Sequence, residues 1–176
     1  QANITVNALP IVTLTSFNPV CVDAPSYALS GGNPVGGNYS GAGVSANNFD
    51  PSIAGVGPHV ISYSYMDANS CSNSASKNIN VNALPVVTLG AINPVCIASS
   101  TFNLATGKPV GGIYSGVGVS AGTFNPSVAG IGLHKIYYSY SDANSCSNID
   151  STTITVYNLP VVTFATVNPV CDGTAA

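Results

Sequence analysis

The side chains of this chain that could do chemistry are few, and they recur at fixed intervals. Cysteines stand at positions 21, 71, 96, 146 and 171, so that a long spacing alternates with one half as long and the pattern is periodic. Two cysteines in every period read as a disulfide framework: a small exported unit gains most from a cross-link, and no C-x-x-C pair is present to hold zinc. Pairing within a period gives Cys21–Cys71 and Cys96–Cys146 and leaves Cys171 over; pairing across periods gives Cys71–Cys96 and Cys146–Cys171 and leaves Cys21. The first scheme is the expected one, since closing a loop of about 50 residues contributes roughly 4 kcal/mol in the chain-entropy treatment. It meets one difficulty. In a plain up-and-down run of seven strands the first and last turns lie at opposite poles.

The other reactive groups read as structural. His59 and His134 occupy the same place one period apart, ahead of a tyrosine-rich segment, and no Ser/His/acid or Cys/His set can be assembled around either. Asp67 and Asp142 open Asp-Ala-Asn-Ser turns. Calcium takes about six to eight oxygens with several carboxylates, and each period has too few acids, so Asx turns are expected instead. The stretch Gly36-Gly37-Asn38-Tyr39-Ser40-Gly41-Ala42-Gly43 lacks the lysine and the helix of a phosphate loop and reads as hairpin turns or bulges. Tyr63, Tyr65, Tyr138 and Tyr140 could stack on a sugar but read as core; Tyr137, expected to be exposed, or the Gly-rich hairpins are the candidate glycan platform. No catalytic, cofactor or metal residue is assigned.

The elements that position these residues are set by the repeat. Asn7-Ala8-Leu9-Pro10 returns one period later as Asn82-Ala83-Leu84-Pro85, and Leu159-Pro160 opens a third copy. In Ile61-Ser62-Tyr63-Ser64-Tyr65 large side chains alternate with serines, and Ile136, Tyr138 and Tyr140 keep the same inward set; period two marks a strand with one buried face. Ile79 and Val81, Ile154 and Val156, and Ile4 and Val6 repeat it. Turn formers separate these runs, and no helical stripe is evident. Strands are expected near 11–16, 25–30, 37–44, 47–50, 59–66 and 74–81, with the same set in the next copy. That spacing predicts an all-β chain of tandem immunoglobulin-like β-sandwich repeats of about 75 residues.

Repeat boundaries are placed at Leu9-Pro10, Leu84-Pro85 and Leu159-Pro160, because proline lacks an amide donor and suits a crossing between domains better than a central ladder. Residues 1–8 are then the last strand of a preceding repeat, 9–83 and 84–158 two complete repeats, and 159–176 the first strand of a following one. The chain is expected to be an excerpt, with any targeting or anchoring segment elsewhere.

Composition narrows the partners. Only 5% of residues are charged, three lysines against six aspartates with no Arg or Glu, whereas an ordinary soluble domain carries about 25%. Nucleic acid and anionic membrane, which are held chiefly by clustered cations, are therefore poor partners, and no nucleic-acid partner is expected. No apolar run reaches the roughly 18 residues of a membrane span. The lysines align with Asn33, Val60 and Thr152 of the other copy, so a lysine–asparagine cross-link in every repeat is excluded.

The segments Gly112-Ile113-Tyr114-Ser115-Gly116-Val117-Gly118-Val119, Phe124-Asn125-Pro126, Ala129-Gly130-Ile131-Gly132-Leu133-His134 and Tyr138-Ser139-Tyr140-Ser141-Asp142-Ala143-Asn144-Ser145-Cys146 resemble the immunoglobulin-like repeats of very large cell-surface proteins of Bacteroidetes-type bacteria. The resemblance covers the whole chain. It implies type IX export and display as an adhesin, stalk or extracellular fibre. Asp150-Ser151-Thr152 also resembles the short O-glycosylation signal of that group, which would make Ser151 the acceptor. The expected function is that of a rigid spacer, or a self-associating filament, whose partners are neighbouring repeats and lateral or end-to-end copies of itself. A carbohydrate-binding module meeting surface glycans, or an accessory domain of a secreted enzyme, is the alternative.

Overall fold

Alternation of apolar and polar residues builds two long strands in each repeat, and everything else is arranged around them. The computed structural model describes residues 3–167 and Gly173. Strands account for 44% of the chain and helix for 5%, so the protein is all-β and its class is that of the expected β-sandwich.

The first repeat contains β1 (Thr13–Leu14), β2 (Val20–Cys21), β3 (Tyr27–Ala28), β4 (Gly32–Asn33), β5 (Asn38–Ser40), β6 (Val44–Ser45), β7 (Asn48–Phe49), the single-turn α1 (Pro51–Ala54), β8 (Gly57–Met66) and β9 (Ser72–Asn82). A four-stranded sheet runs in the order β2-β9-β8-β5, a three-stranded one β3-β7-β6, and β1 pairs with β4. Most pairings are antiparallel, but β2 lies parallel to the end of β9, with Val20 opposite Val81 and Cys21 opposite Asn82. The second repeat repeats the plan with β10 (Thr88–Leu89), β11 (Val95–Cys96), β12 (Phe102–Asn103), β13 (Gly107–Lys108), β14 (Ile113–Gly116), β15 (Val119–Ser120), β16 (Thr123–Phe124), α2 (Pro126–Ala129), β17 (Gly132–Ser141) and β18 (Ser147–Tyr157). There β11 is parallel to β18, with Cys96 opposite Tyr157. Among the described residues every sheet draws its strands from one repeat.

Of the expected inward set, Ile61, Tyr63, Ile79, Val81 and their counterparts Ile136, Tyr138, Ile154 and Val156 are buried, whereas Tyr65 and Tyr140, near the ends of their strands, are only half-buried. Leu29, Phe49, Ile61, Ile79 and Val81 form the core of the first repeat, with Phe17, Val20 and Tyr27 packed at its edge. Burying each such side chain is worth about 1.5–3 kcal/mol. The second repeat buries Leu104, Phe124, Ile136, Ile154 and Val156 at the matching positions.

Tyr63, 2% exposed, gives the glycine-rich segment its purpose. Its hydroxyl donates to the Pro34 carbonyl at 2.6 Å and accepts from the Gly37 amide at 2.6 Å. A Cβ on Gly32 or Gly37 would stand 2.6 Å from its ring, so only glycine admits the backbone that close. Tyr138 makes the same bonds to Pro109 and Gly112. The segment is thus a clasp on a core tyrosine.

Several expected elements differ. The stretch expected as one strand over 37–44 is two, β5 and β6; β2 and β4 were not expected; and β1 covers only two residues of 11–16. Each repeat also has one helical turn where only a turn was expected. Asp50 and Asn125 have extended backbone and accept from the amides two and three residues on, and proline follows at the first helical position. Ile4 and Val6, which align with buried Ile79 and Val81, are 89% exposed and outside any strand, and residues 161–167 are likewise exposed and outside any strand.

Candidate functional site

The cysteines define the site, and their connectivity corrects the sequence expectation. Cys21 is bonded to Cys146, with 5.6 Å between the Cα atoms and 125 residues between them in sequence. Cys71 and Cys96 carry no disulfide. Neither Cys21–Cys71 nor Cys96–Cys146 forms, and the alternative pairs Cys71–Cys96 and Cys146–Cys171 do not form either; Cys171 itself lies outside the described residues.

The parallel pairing of β2 explains why. Cys21 sits beside Asn82, at the end of β9, while Cys71 precedes Ser72, at its start. Eleven strand residues at about 3.3 Å each separate them by roughly 35 Å, against the roughly 7 Å or less that a disulfide requires between Cα atoms. The same holds for Cys96, opposite Tyr157, and Cys146, at the start of β18. The difficulty of opposite poles was real, and the chain meets it by joining one repeat to the next.

Each partner is held by its local structure. Val22 donates its amide to the Asn82 carbonyl at 2.9 Å, which pins Cys21 to the last residue of β9. At the other end, Asp142 Oδ1 accepts from the amides of Asn144 and Cys146, both at 2.9 Å, and so fixes the cysteine's backbone in the tight turn between β17 and β18. Asp67 does the same for Asn69 and Cys71. The expected Asx turns are present, and their consequence for the cysteines was missed.

The Leu-Pro step lies beside this bond. Asn148, two residues after Cys146, donates its side-chain amide to the Pro85 carbonyl at 3.0 Å, and Asn73 does so to Pro10 at 2.9 Å. Residues up to Thr88 pack with 107–113 and 138–150 as one compact unit, which contains Cys21, Cys146 and the Leu84-Pro85 step. Leu84 and Pro85 are half-buried there, whereas Leu9 is 63% and Leu159 52% exposed. Pro10 is half-buried and Pro160 exposed.

The remaining candidates are placed as follows. His59 and His134 each donate Nε2–H to a carbonyl four residues back, Gly55 and Gly130, at 2.8 Å, which clips the chain after the helical turn. Tyr137 is 37% exposed on β17, with the Lys135 ammonium 5.1 Å from its ring centre. Ser151 lies half-buried within β18. A cavity of about 340 Å³ in the second repeat is lined by Ile92, Val95, Phe102 and Leu104 among others. The residue aligned with Ile92 is Phe17, which packs against the core of the first repeat. Among the described residues no group of three His, Cys, Asp or Glu side chains could hold a metal ion, and no helix is long and apolar enough to cross a membrane.

No protein-family model and no curated protein matches the chain. Among solved structures it is similar to a protocadherin gammaB7 EC3-6 chain, described as a cis-dimer, at 12% identity and a TM-score of 0.30 over 85% of this chain. The chain spans 47% of that chain's length, and a likeness at this TM-score carries no conclusion.

Proposed function

We propose that the chain is a run of spacer repeats from an extracellular structural or adhesive protein of the bacterial cell-surface type, with repeat boundaries at the Leu-Pro steps. One observation carries this reading: the Cys21–Cys146 bond lies next to the Leu84-Pro85 step, so two covalent connections run between successive repeats within a few residues of each other. A linker that must flex carries Gly, Ser or charge; here Ala83, Leu84 and Pro85 are followed at once by a side-chain clamp. The disulfide itself suits an oxidising compartment, and the low charge lets copies approach laterally with little repulsion.

Function then lies in reach and stiffness, with length set by copy number. Catalysis plays no part in this reading, in which both histidines serve the main chain. Small-angle scattering on chains of two, four and six repeats tests it. The maximum dimension is expected to rise linearly with copy number, and growth near the square root would mean a flexible string and end the spacer reading. Glycan recognition is the second reading, favoured by the exposed Tyr137; Tyr137→Ala abolishing binding on a glycan array would promote it.

A further inference from the structure

Cys71 and Cys96 are built as the two halves of the bond that Cys21 and Cys146 already make. Cys96 is exposed and stands opposite Tyr157 at the end of β18, with Ile97 donating its amide to the Tyr157 carbonyl at 2.9 Å. Cys21 stands opposite Asn82 in the same way, with Val22 bonded to Asn82 at 2.9 Å. Cys71 lies in a turn whose aspartate holds its amide, and near a clamp from Asn73 to Pro10. Cys146 lies in the same turn, near the same clamp to Pro85. Each unbridged cysteine therefore repeats, bond for bond, the setting of one that is bridged.

We infer that every junction of such an array is stapled by one disulfide, from the β2-type cysteine of a repeat to the hairpin cysteine of the repeat that follows it. Cys96 takes the hairpin cysteine of a following repeat, and Cys71 takes the β2-type cysteine of a preceding one. The third copy opened by Leu159-Pro160, which brings Cys171 at the β2-type position, is the start of such a follower. Chemically, the staple forms by exchange with a disulfide donor such as oxidised glutathione. The Cys96 thiolate attacks one sulfur of the donor and expels a glutathione thiolate. The partner thiolate then attacks the mixed disulfide and expels the second. Two protein thiols are oxidised, the donor is reduced to two thiols, and these take up the two protons. The inference rests on the tandem-array reading, though it makes a separate claim about which atoms join.

The test completes the third copy by fusing residues 102–158 after Ala176, which continues the repeat in register, and folds the chain in a glutathione redox buffer. In the parent chain, iodoacetamide is expected to label Cys71 and Cys96 but not Cys21 or Cys146. In the extended chain Cys96 should become protected, and non-reducing peptide mapping should join it to the added hairpin cysteine. In the extended chain, Cys96→Ser should leave that added cysteine open to labelling while the circular dichroism stays unchanged, which separates loss of the bond from loss of folding. Labelling of Cys96 in the extended chain, its pairing with Cys71 or Cys171, or its appearance only in intermolecular dimers would overturn the inference. Linear growth of length with Cys96 still reactive would leave the spacer reading intact and remove the staple.

Discussion

Cutting the Cys21–Cys146 disulfide should cost the protein more than any change at the two other described cysteines. The cleaner perturbation is Cys21→Ser, because Cys21 is half-exposed whereas Cys146 is only 1% exposed and a serine there would bury a hydroxyl. The bond closes a loop of 125 residues, and the chain-entropy treatment assigns such a loop about 5 kcal/mol. The unfolding entropy is about 2.1 cal/mol/K per residue, so a single cooperative transition of this chain would fall by roughly 10–15 °C. If the repeats melt in separate steps, the loss should fall on the step that separates them. Calorimetry on the parent, on Cys21→Ser and on Cys21→Ser with Cys146→Ser should show the double variant close to the worse single one, since both remove the same bond. Cys71→Ser and Cys96→Ser should melt within about 2 °C of the parent, since neither carries a bond, Cys96 is exposed and Cys71 is only partly buried. If Cys71→Ser proved as damaging as Cys21→Ser, or a reductant left the melting temperature in place, the connectivity argued above would be wrong.

Three further outcomes follow from single residues. Tyr63→Phe should destabilise the first repeat by about 2–3 kcal/mol in a urea titration, because the Pro34 carbonyl and the Gly37 amide both lose their partner. Ile92→Phe should raise the stability of the second repeat by about 1 kcal/mol, by placing there the ring that Phe17 supplies to the first; a loss would mean that the cavity is not shaped like its counterpart. The Ser52 hydroxyl, with help from the Ile53 and Ser52 amides, holds the Asp50 carboxyl below its ordinary value. A lowered folded pKa adds stability that is present above the unfolded pKa and lost as pH falls through the folded one. The melting-temperature advantage of the parent over Asp50→Asn should therefore shrink below about pH 4, and an advantage that stays constant through strong acid would contradict it.

What could be read from the sequence was whatever repeats with a short period. The alternation around Ile61, Tyr63, Ile79 and Val81 reports burial directly, and these residues are buried. The Asx turns at Asp67 and Asp142 were legible for a similar reason, since their chemistry is local. The cysteine pairing was not, because it depends on β2 lying parallel to the far end of β9, a contact between distant parts of the chain that leaves no local mark. Spacing alone favours partners within one repeat and says nothing of which pole each occupies. The helical turns at Pro51 and Pro126 were hidden by their length: four residues are too few to show a stripe, although Asp or Asn before Pro is a cap signal that could have exposed them. Tyr63 read correctly as core, yet only the fold brings it against Gly32 and Gly37.

The central claim is that the junction between repeats is stiff and that the disulfide makes it so. Spin labels carried by non-natural residues at Val60 and Lys135, exposed and equivalent positions of the two repeats, would measure it through their distance distribution. A single narrow peak in the oxidised chain that broadens once Cys21–Cys146 is reduced is the predicted result, and a distribution equally broad before and after reduction would contradict the account.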